Sequence, residues 1–289
     1  MKILLIGIFL VCLNTFTGST FDAITKYSGI NNYMWYHYYS IGGSVAICCF
    51  IIFLLSQGGL KKHILLEKKE YYFLPIFRGL YFISILIIIF YSLQNIPINI
   101  FTVLLMTSPF FLLIFAKFIL KEKLNLISWI AILIGFCGVL IVLRPNSSNL
   151  NIYIFLVLFV AISNALNFTL VSKYSHIASS FGFTFYQYIP ITLFSYIFFL
   201  YDPMLPSKKE FLLFASSGII VMISMWAFNA AYHIAGKYSS IISSFFFTQI
   251  IWGSLYGIIF FHEKINALSL VGILVIVISG TIAIYNKKK

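Results

Sequence analysis

This sequence predicts an all-α membrane protein of ten transmembrane helices, arranged as two inverted five-helix repeats. Three observations carry that expectation. Ten long apolar runs follow one another along 289 residues. Hydrophobic types make up 61% of the chain and charged types only 9%. One polar turn occurs twice, about half a chain apart. A soluble domain carries about a quarter charged residues, so most of the surface built from this composition has to face lipid.

A hydrocarbon core about 30 Å thick takes roughly 20 apolar residues per helix. Runs of that kind lie near residues 3–25, 33–56, 71–93, 98–120, 125–143, 150–172, 180–201, 211–235, 239–261 and 266–285. They are continuous, whereas barrel strands alternate in short segments. The connections are short and punctuated, as in Ser28-Gly29-Ile30-Asn31, Gln94-Asn95-Ile96-Pro97, Arg144-Pro145-Asn146 and Asp202-Pro203. Pro and Asn there end helices and start turns. Met1-Lys2 before an apolar run has the start of a signal peptide. No small-x-small cleavage site precedes the next polar turn, so a retained first span is expected.

Lysine and arginine set the direction. With the N-terminus inside, one set of loops carries twelve: Lys2, Lys61, Lys62, Lys68, Lys69, Lys121, Lys123, Lys173, Lys237 and Lys287 to Lys289. The other set carries five: Lys26, Arg144, Lys208, Lys209 and Lys264. The bias predicts a multi-pass protein of the inner (plasma) membrane with both termini cytoplasmic. It also accounts for the formal charge of +12 without a nucleic-acid partner, because the basic residues sit in short loops and form no stripe.

The polar turn is the repeat signal. Moving residues 107–133 forward by 141 positions (263 − 122) lays Thr107 on Thr248, Glu122 on Glu263, Lys123 on Lys264 and Asn125 on Asn266. Ser128 then falls on Ser269, Ile132 on Ile273 and Leu133 on Leu274. The halves are 1–145 and 146–289. A five-span unit starts its second copy on the opposite side of the membrane. Inverted repeats of this kind build many secondary transporters, with the substrate site near the midplane.

These residues resemble the drug/metabolite transporter superfamily, EamA-type, over nearly the whole chain. The resemblance is carried by Phe21-Asp22-Ala23-Ile24-Thr25-Lys26-Tyr27, Phe77-Arg78-Gly79, Ser108-Pro109-Phe110, Leu120-Lys121-Glu122-Lys123-Leu124, Phe247 to Trp252 and Phe261-His262-Glu263. It implies ten spans in two five-span halves and a transport function. The ending of span 1 resembles the subgroup that includes bacterial S-adenosylmethionine carriers. Members of that subgroup often have an arginine in span 2, where this chain reads Trp35-Tyr36-His37-Tyr38-Tyr39.

Polar groups inside spans mark the candidate site, because a charge at a helix centre costs roughly 2.5–3.5 kcal/mol on insertion scales. The expected core is Arg78, Tyr81, Trp226, Asn229, Gln249 and Trp252, with Asn14 and Asn167 nearby. Arg78 either holds a carboxylate as a fork, joins a structural ion pair, or snorkels to the interface. Asp22 shares a face with Asn14 and Gly18. It pairs with Lys26 one turn on, or acts as an anionic rim for a cation or proton. In span 8, Met222, Trp226, Asn229 and His233 share a face. Asp22 and His233 are the candidates for gating or coupling. Span 9 offers Gln249, Trp252 and Tyr256; span 4 offers Thr102, Met106 and Pro109; span 6 offers Asn164 and Asn167. Spans 5 and 10 carry Ala131, Gly135, Gly272 and Gly280 and read as packing or subunit-contact helices, which leaves a homodimer open. Glu122 and Glu263 read as turn anchors.

No catalytic triad, metal-ligand spacing, phosphate loop or cofactor motif is visible. The four cysteines, Cys12, Cys48, Cys49 and Cys137, lie inside apolar runs. The leading expectation is therefore a secondary transporter, without cofactor, for a small, polar and zwitterionic molecule. Membrane lipid is its surroundings. The alternative is an integral membrane enzyme acting on a lipid or isoprenoid.

Overall fold

Continuous apolar sequence folds into helices here because a backbone in lipid has to satisfy its own polar groups. The structure, a computed structural model, describes residues 2–56, 58–121, 126–143, 151–238, 242 and 244–285. In chain order the helices are α1 (Lys2–Ile30), α2 (Trp35–Ser56), a short α3 (Leu60–Ile64), α4 (Phe73–Asn95), α5 (Ile98–Leu105), α6 (Ser108–Ile119) and α7 (Leu126–Leu143). They continue as α8 (Ile152–Lys173), α9 (Ser180–Tyr201), α10 (Lys208–Ala235), α11 (Thr248–Phe261) and α12 (Ala267–Tyr285). No strand occurs among the described residues.

Among the described residues, seven helical segments are long and apolar enough to cross a membrane. Three shorter apolar helices, Trp129–Val142, Phe245–Phe261 and Ala267–Ile282, stand where spans 5, 9 and 10 are expected. The fourth expected span is α5 and α6 in succession. The first is longer than expected: α1 continues through Ser28 and Gly29 to Ile30. The Ser28 hydroxyl donates back to the Ile24 carbonyl, and the turn comes only at Asn32, with φ 63°. The turns at Glu122-Lys123-Leu124-Asn125 and Arg144-Pro145-Asn146 lie outside the described residues.

The helices interleave across the two halves of the sequence. The most extensive pairs are α7 with α12, α1 with α10, α2 with α10 and α9, α4 with α9, α6 with α8, and α1 with α11. Apolar association gains little in lipid, so such pairs rely on small residues that let backbones approach. A Cβ on Gly272 of α12 would stand 2.8 Å from the Gly138 carbonyl of α7, and one on Gly138 would stand 3.0 Å from the Gly272 carbonyl. Gly272→Leu is therefore expected to cost about 1–3 kcal/mol, the usual range for overpacking. A lower melting temperature in detergent, with ligand affinity unchanged in the folded fraction, would show it. Normal melting with lost affinity would contradict the packing role.

The α1–α2 turn is tied to α10. Ser207 and Glu210 form a capping box at the α10 N-terminus, and Tyr33 donates to Glu210 at 2.6 Å. The hydrogen bond to the Glu210 carboxylate, with burial, pushes the Tyr33 phenol up to about 12. Lys26 does not pair with Asp22 as the intrahelical spacing allows. Its ammonium reaches Glu263 at 3.0 Å and the Ile96 carbonyl at 3.1 Å.

Candidate functional site

Two helix breaks open the bundle's interior. The first lies between α5 and α6, where Thr107 and Ser108 donate their hydroxyls to the Leu104 and Leu105 carbonyls at 2.7 and 2.6 Å. Pro109 follows within the first turn of α6, where its missing N–H costs least. The second lies where the 3-10 turn Ser244–Phe247 enters α11. There Thr248 donates to the Phe245 carbonyl at 2.6 Å. Thr107 and Thr248 are 141 positions apart (248 − 107) and make the same bond, each to the carbonyl three residues back.

Between these breaks lies a cavity of about 130 Å³. Asn14, Gly18, Phe21 and Asp22 of α1 line one wall, and Phe82, Leu86 and Ile89 of α4 another. Leu105, Met106 and Ser108 come from the first break; Phe246 and Gln249 come from the second. Asn164, Asn167 and Phe168 of α8, Gln187 of α9, and Val221, Ser224, Met225 and Phe228 of α10 complete it. The cavity is thus an apolar chamber with amides, hydroxyls and one carboxylate at chosen points, the usual make-up of a small-molecule site.

Several of the polar groups are held by a neighbouring helix. Asn14 donates to the Ser224 carbonyl and hydroxyl, both at 2.9 Å, and clamps α1 to α10. Asp22 is buried and accepts from the Gln249 amide at 3.4 Å. Arg78 is 2% exposed, so it does not snorkel. Its Nε donates to Asn167 at 3.0 Å and its Nη2 to Asn229 at 3.4 Å. The guanidinium carbon lies 5.1 Å from the Phe183 ring centroid, a cation–π contact. The buried Nη1 has no hydrogen-bond partner among the described residues. Asn229 in turn donates to Thr184 and Gln187 at 3.1 and 3.4 Å. Arg78 therefore reaches the cavity through Asn167, which lines it.

The structure gathers some of the expected residues and separates others. Asn14, Asp22, Asn167 and Gln249 line the cavity, and Arg78 with Asn229 adjoins it. Tyr81 is half-buried, with its hydroxyl 2.7 Å from that of Ser163 on the α4–α8 seam. Trp252 packs edge-on against Phe16, centroids 5.0 Å apart, and the Tyr256 hydroxyl meets that of Thr20 at 2.7 Å. Those two residues of the expected span 9 face belong to the α1–α11 contact. Trp226 stacks on Phe181, centroids 5.9 Å apart, and with Met222 lines a separate apolar groove on α2, α9 and α10. His233 lies beyond the cavity lining.

The expected face of α10 is out of phase. The residues that line the cavity are Val221, Ser224, Met225 and Phe228, one i, i+3, i+4, i+7 stripe. Met222 and Trp226 lie one residue further round. In a membrane helix apolar residues suit every side, so hydrophobic phase does not mark the inward face. Sequence reasoning also passed over Gln187 and Ser108. Gln187 is a lone amide in an apolar run, and Ser108 precedes the Pro109 that marks the break.

The sequence pattern of the EamA-like transporter family matches residues 5–144 and again residues 151–285. A riboflavin transporter of Vibrio cholerae is 32% identical over 133 residues, which cover 46% of this chain and 45% of that one. The S-adenosylmethionine uptake transporters of Rickettsia prowazekii and Rickettsia conorii are 25% and 26% identical, each over 69% of this chain and 67% of the relative. A solved crystal structure shares the fold at 14% identity with a TM-score of 0.65, over 99% of this chain and 98% of the other. Apolar helices, paired breaks around a chamber set with a few polar groups, and two consecutive pattern matches lead to one assignment: the chain belongs to the EamA-like transporter family.

Proposed function

We propose that this protein is a secondary transporter that moves a small zwitterionic metabolite, amino-acid-like or S-adenosylmethionine-like, across the inner membrane by alternating access. Family membership favours transport over the membrane-enzyme alternative. The observation that carries the substrate class is the pairing of opposite charges about one cavity. Asp22 lines it and suits an ammonium or sulfonium; Arg78, held against Asn167 with Nη1 unpartnered, suits a carboxylate. Phe168 and Phe246 add a flat wall, stacked at 4.9 Å with planes 10° apart, which suits a planar ring. The cavity of about 130 Å³ is smaller than the roughly 300–1,000 Å³ of common ligand pockets. Loading such a molecule therefore requires the walls to part.

In this reading ten spans form two inverted repeats, 1–145 and 146–289, with both termini cytoplasmic. Cysteine labelling at Lys61 and Lys289 should report the inside, and at Ser207 the outside. An outside signal at Lys289 would overturn the inverted arrangement. The transport test is uptake into proteoliposomes of labelled S-adenosylmethionine, riboflavin and a panel of amino acids. Saturable uptake of a zwitterion, competed by its unlabelled form, is expected. Saturable uptake restricted to uncharged compounds would reject the charge-pair reading.

A further inference from the structure

We infer that Glu263 is a latch that shuts the Asp22 end of the cavity. The inference rests on the transport reading only in calling that end a gate. Three cavity-lining elements converge on this carboxylate. Its Oε1 accepts from Lys26 of α1 at 3.0 Å and from the Ile98 backbone N–H at 2.8 Å. Its Oε2 accepts from the Asn99 N–H at 3.2 Å. Glu263 comes just after His262, the C-cap of α11, and its N–H donates to the Gly257 carbonyl at 2.9 Å, so one residue caps the N-terminus of α5 and ties it to both α1 and α11. Lys26 lies one turn beyond Asp22 on α1. Leu105, at the far end of α5, lines the cavity, as does Gln249 near the start of α11.

Two features suit the contact to opening and closing. First, the α5–α11 seam runs on small residues. A Cβ on Gly257 would come within 2.7 Å of the Glu263 carboxylate and 3.1 Å of Ile98, so only glycine lets the latch lie flat. Gly253 packs likewise on Thr102 one turn earlier. Second, the Lys26 and Glu263 side chains keep 12% and 11% exposure. Unlike buried Arg78, both keep a path to water, so the two charges can be rehydrated as the contact opens. Such a contact can hold one state without locking it.

The test uses Ser108→Cys as a cavity reporter in full-length protein with the four native cysteines replaced, reconstituted in vesicles. A membrane-impermeant maleimide is added to the Glu263 side. Glu263→Gln and Lys26→Met should each speed labelling roughly tenfold, within the usual range of conformational coupling. The double variant should be no faster than Glu263→Gln alone, because Lys26→Met breaks only a contact that Glu263→Gln already removes. If Glu263→Gln does not fold, Lys26→Met leaves the α5 cap in place and reads the ion pair alone. Labelling at the unmodified rate in folded Lys26→Met protein overturns the latch. Labelling needs no substrate, so this outcome is separate from success or failure of the uptake assay.

Discussion

Arg78→Ala is expected to abolish saturable uptake. The guanidinium is buried, bonded to Asn167 and Asn229, and keeps Nη1 without a partner among the described residues. In the proposed complex Arg78 pairs with the substrate carboxylate, and truncating one partner of a buried, hydrogen-bonded charge pair costs about 2–5 kcal/mol, a factor of roughly 30 to several thousand. The change also leaves two amide oxygens without their donor, so melting in detergent and gel filtration must show that the tested fraction is folded. Arg78→Lys keeps the charge but cannot reproduce a planar fork to Asn167 and Asn229. It should weaken uptake without ending it. Trp226→Ala should leave saturable uptake in place, because that ring packs on Phe181 outside the cavity. Lys208→Ala and Lys209→Ala should also change little, as exposed and screened charges. Normal uptake by folded Arg78→Ala protein would place the site elsewhere.

The contrast between Arg78 and Trp226 shows what the sequence carried and what it did not. Arg78, Asp22, Asn167 and Gln249 were legible because each is a costly group in a continuous apolar run, and such groups turn inward. Trp226 was ranked beside Arg78 on chemistry alone. Its side of α10 could not be read, since Met222 and Trp226 are as apolar as Met225 and Phe228. Glu263 was legible as a turn anchor but not in its partners. Lys264 is its neighbour in sequence, whereas the partner in space is Lys26, 237 positions away. The helix breaks were half visible. Pro109 stands at the first, whereas the second, at Thr248, has no proline, and the 141-residue shift that lays Thr107 on Thr248 signalled only the repeat. Helix existence thus followed from composition, while helix rotation and long-range pairing depend on packing that no local pattern records.

Asp22→Asn is expected to separate substrate movement from its driving force. The Asp22 carboxylate is buried, and among the described residues it has one donor, the Gln249 amide at 3.4 Å. Its other candidate partner, Lys26, is engaged by Glu263. A buried carboxylate needs positive charge or several hydrogen bonds to compensate it, and this one lines the cavity, so whatever enters the cavity can supply that charge. Asparagine keeps the shape and can still bond Gln249, so the fold should survive with little change in melting. Accumulation driven by an imposed proton gradient should fall to the level set by equilibration. Exchange of labelled for unlabelled substrate across the same vesicles should persist at raised substrate concentration, because it needs no net proton movement and loses only the partner of the substrate's positive end. Undiminished accumulation would remove Asp22 from the coupling role. Loss of exchange at every substrate concentration together with accumulation, in folded protein, would leave Asp22 as a substrate contact with no separate part in coupling.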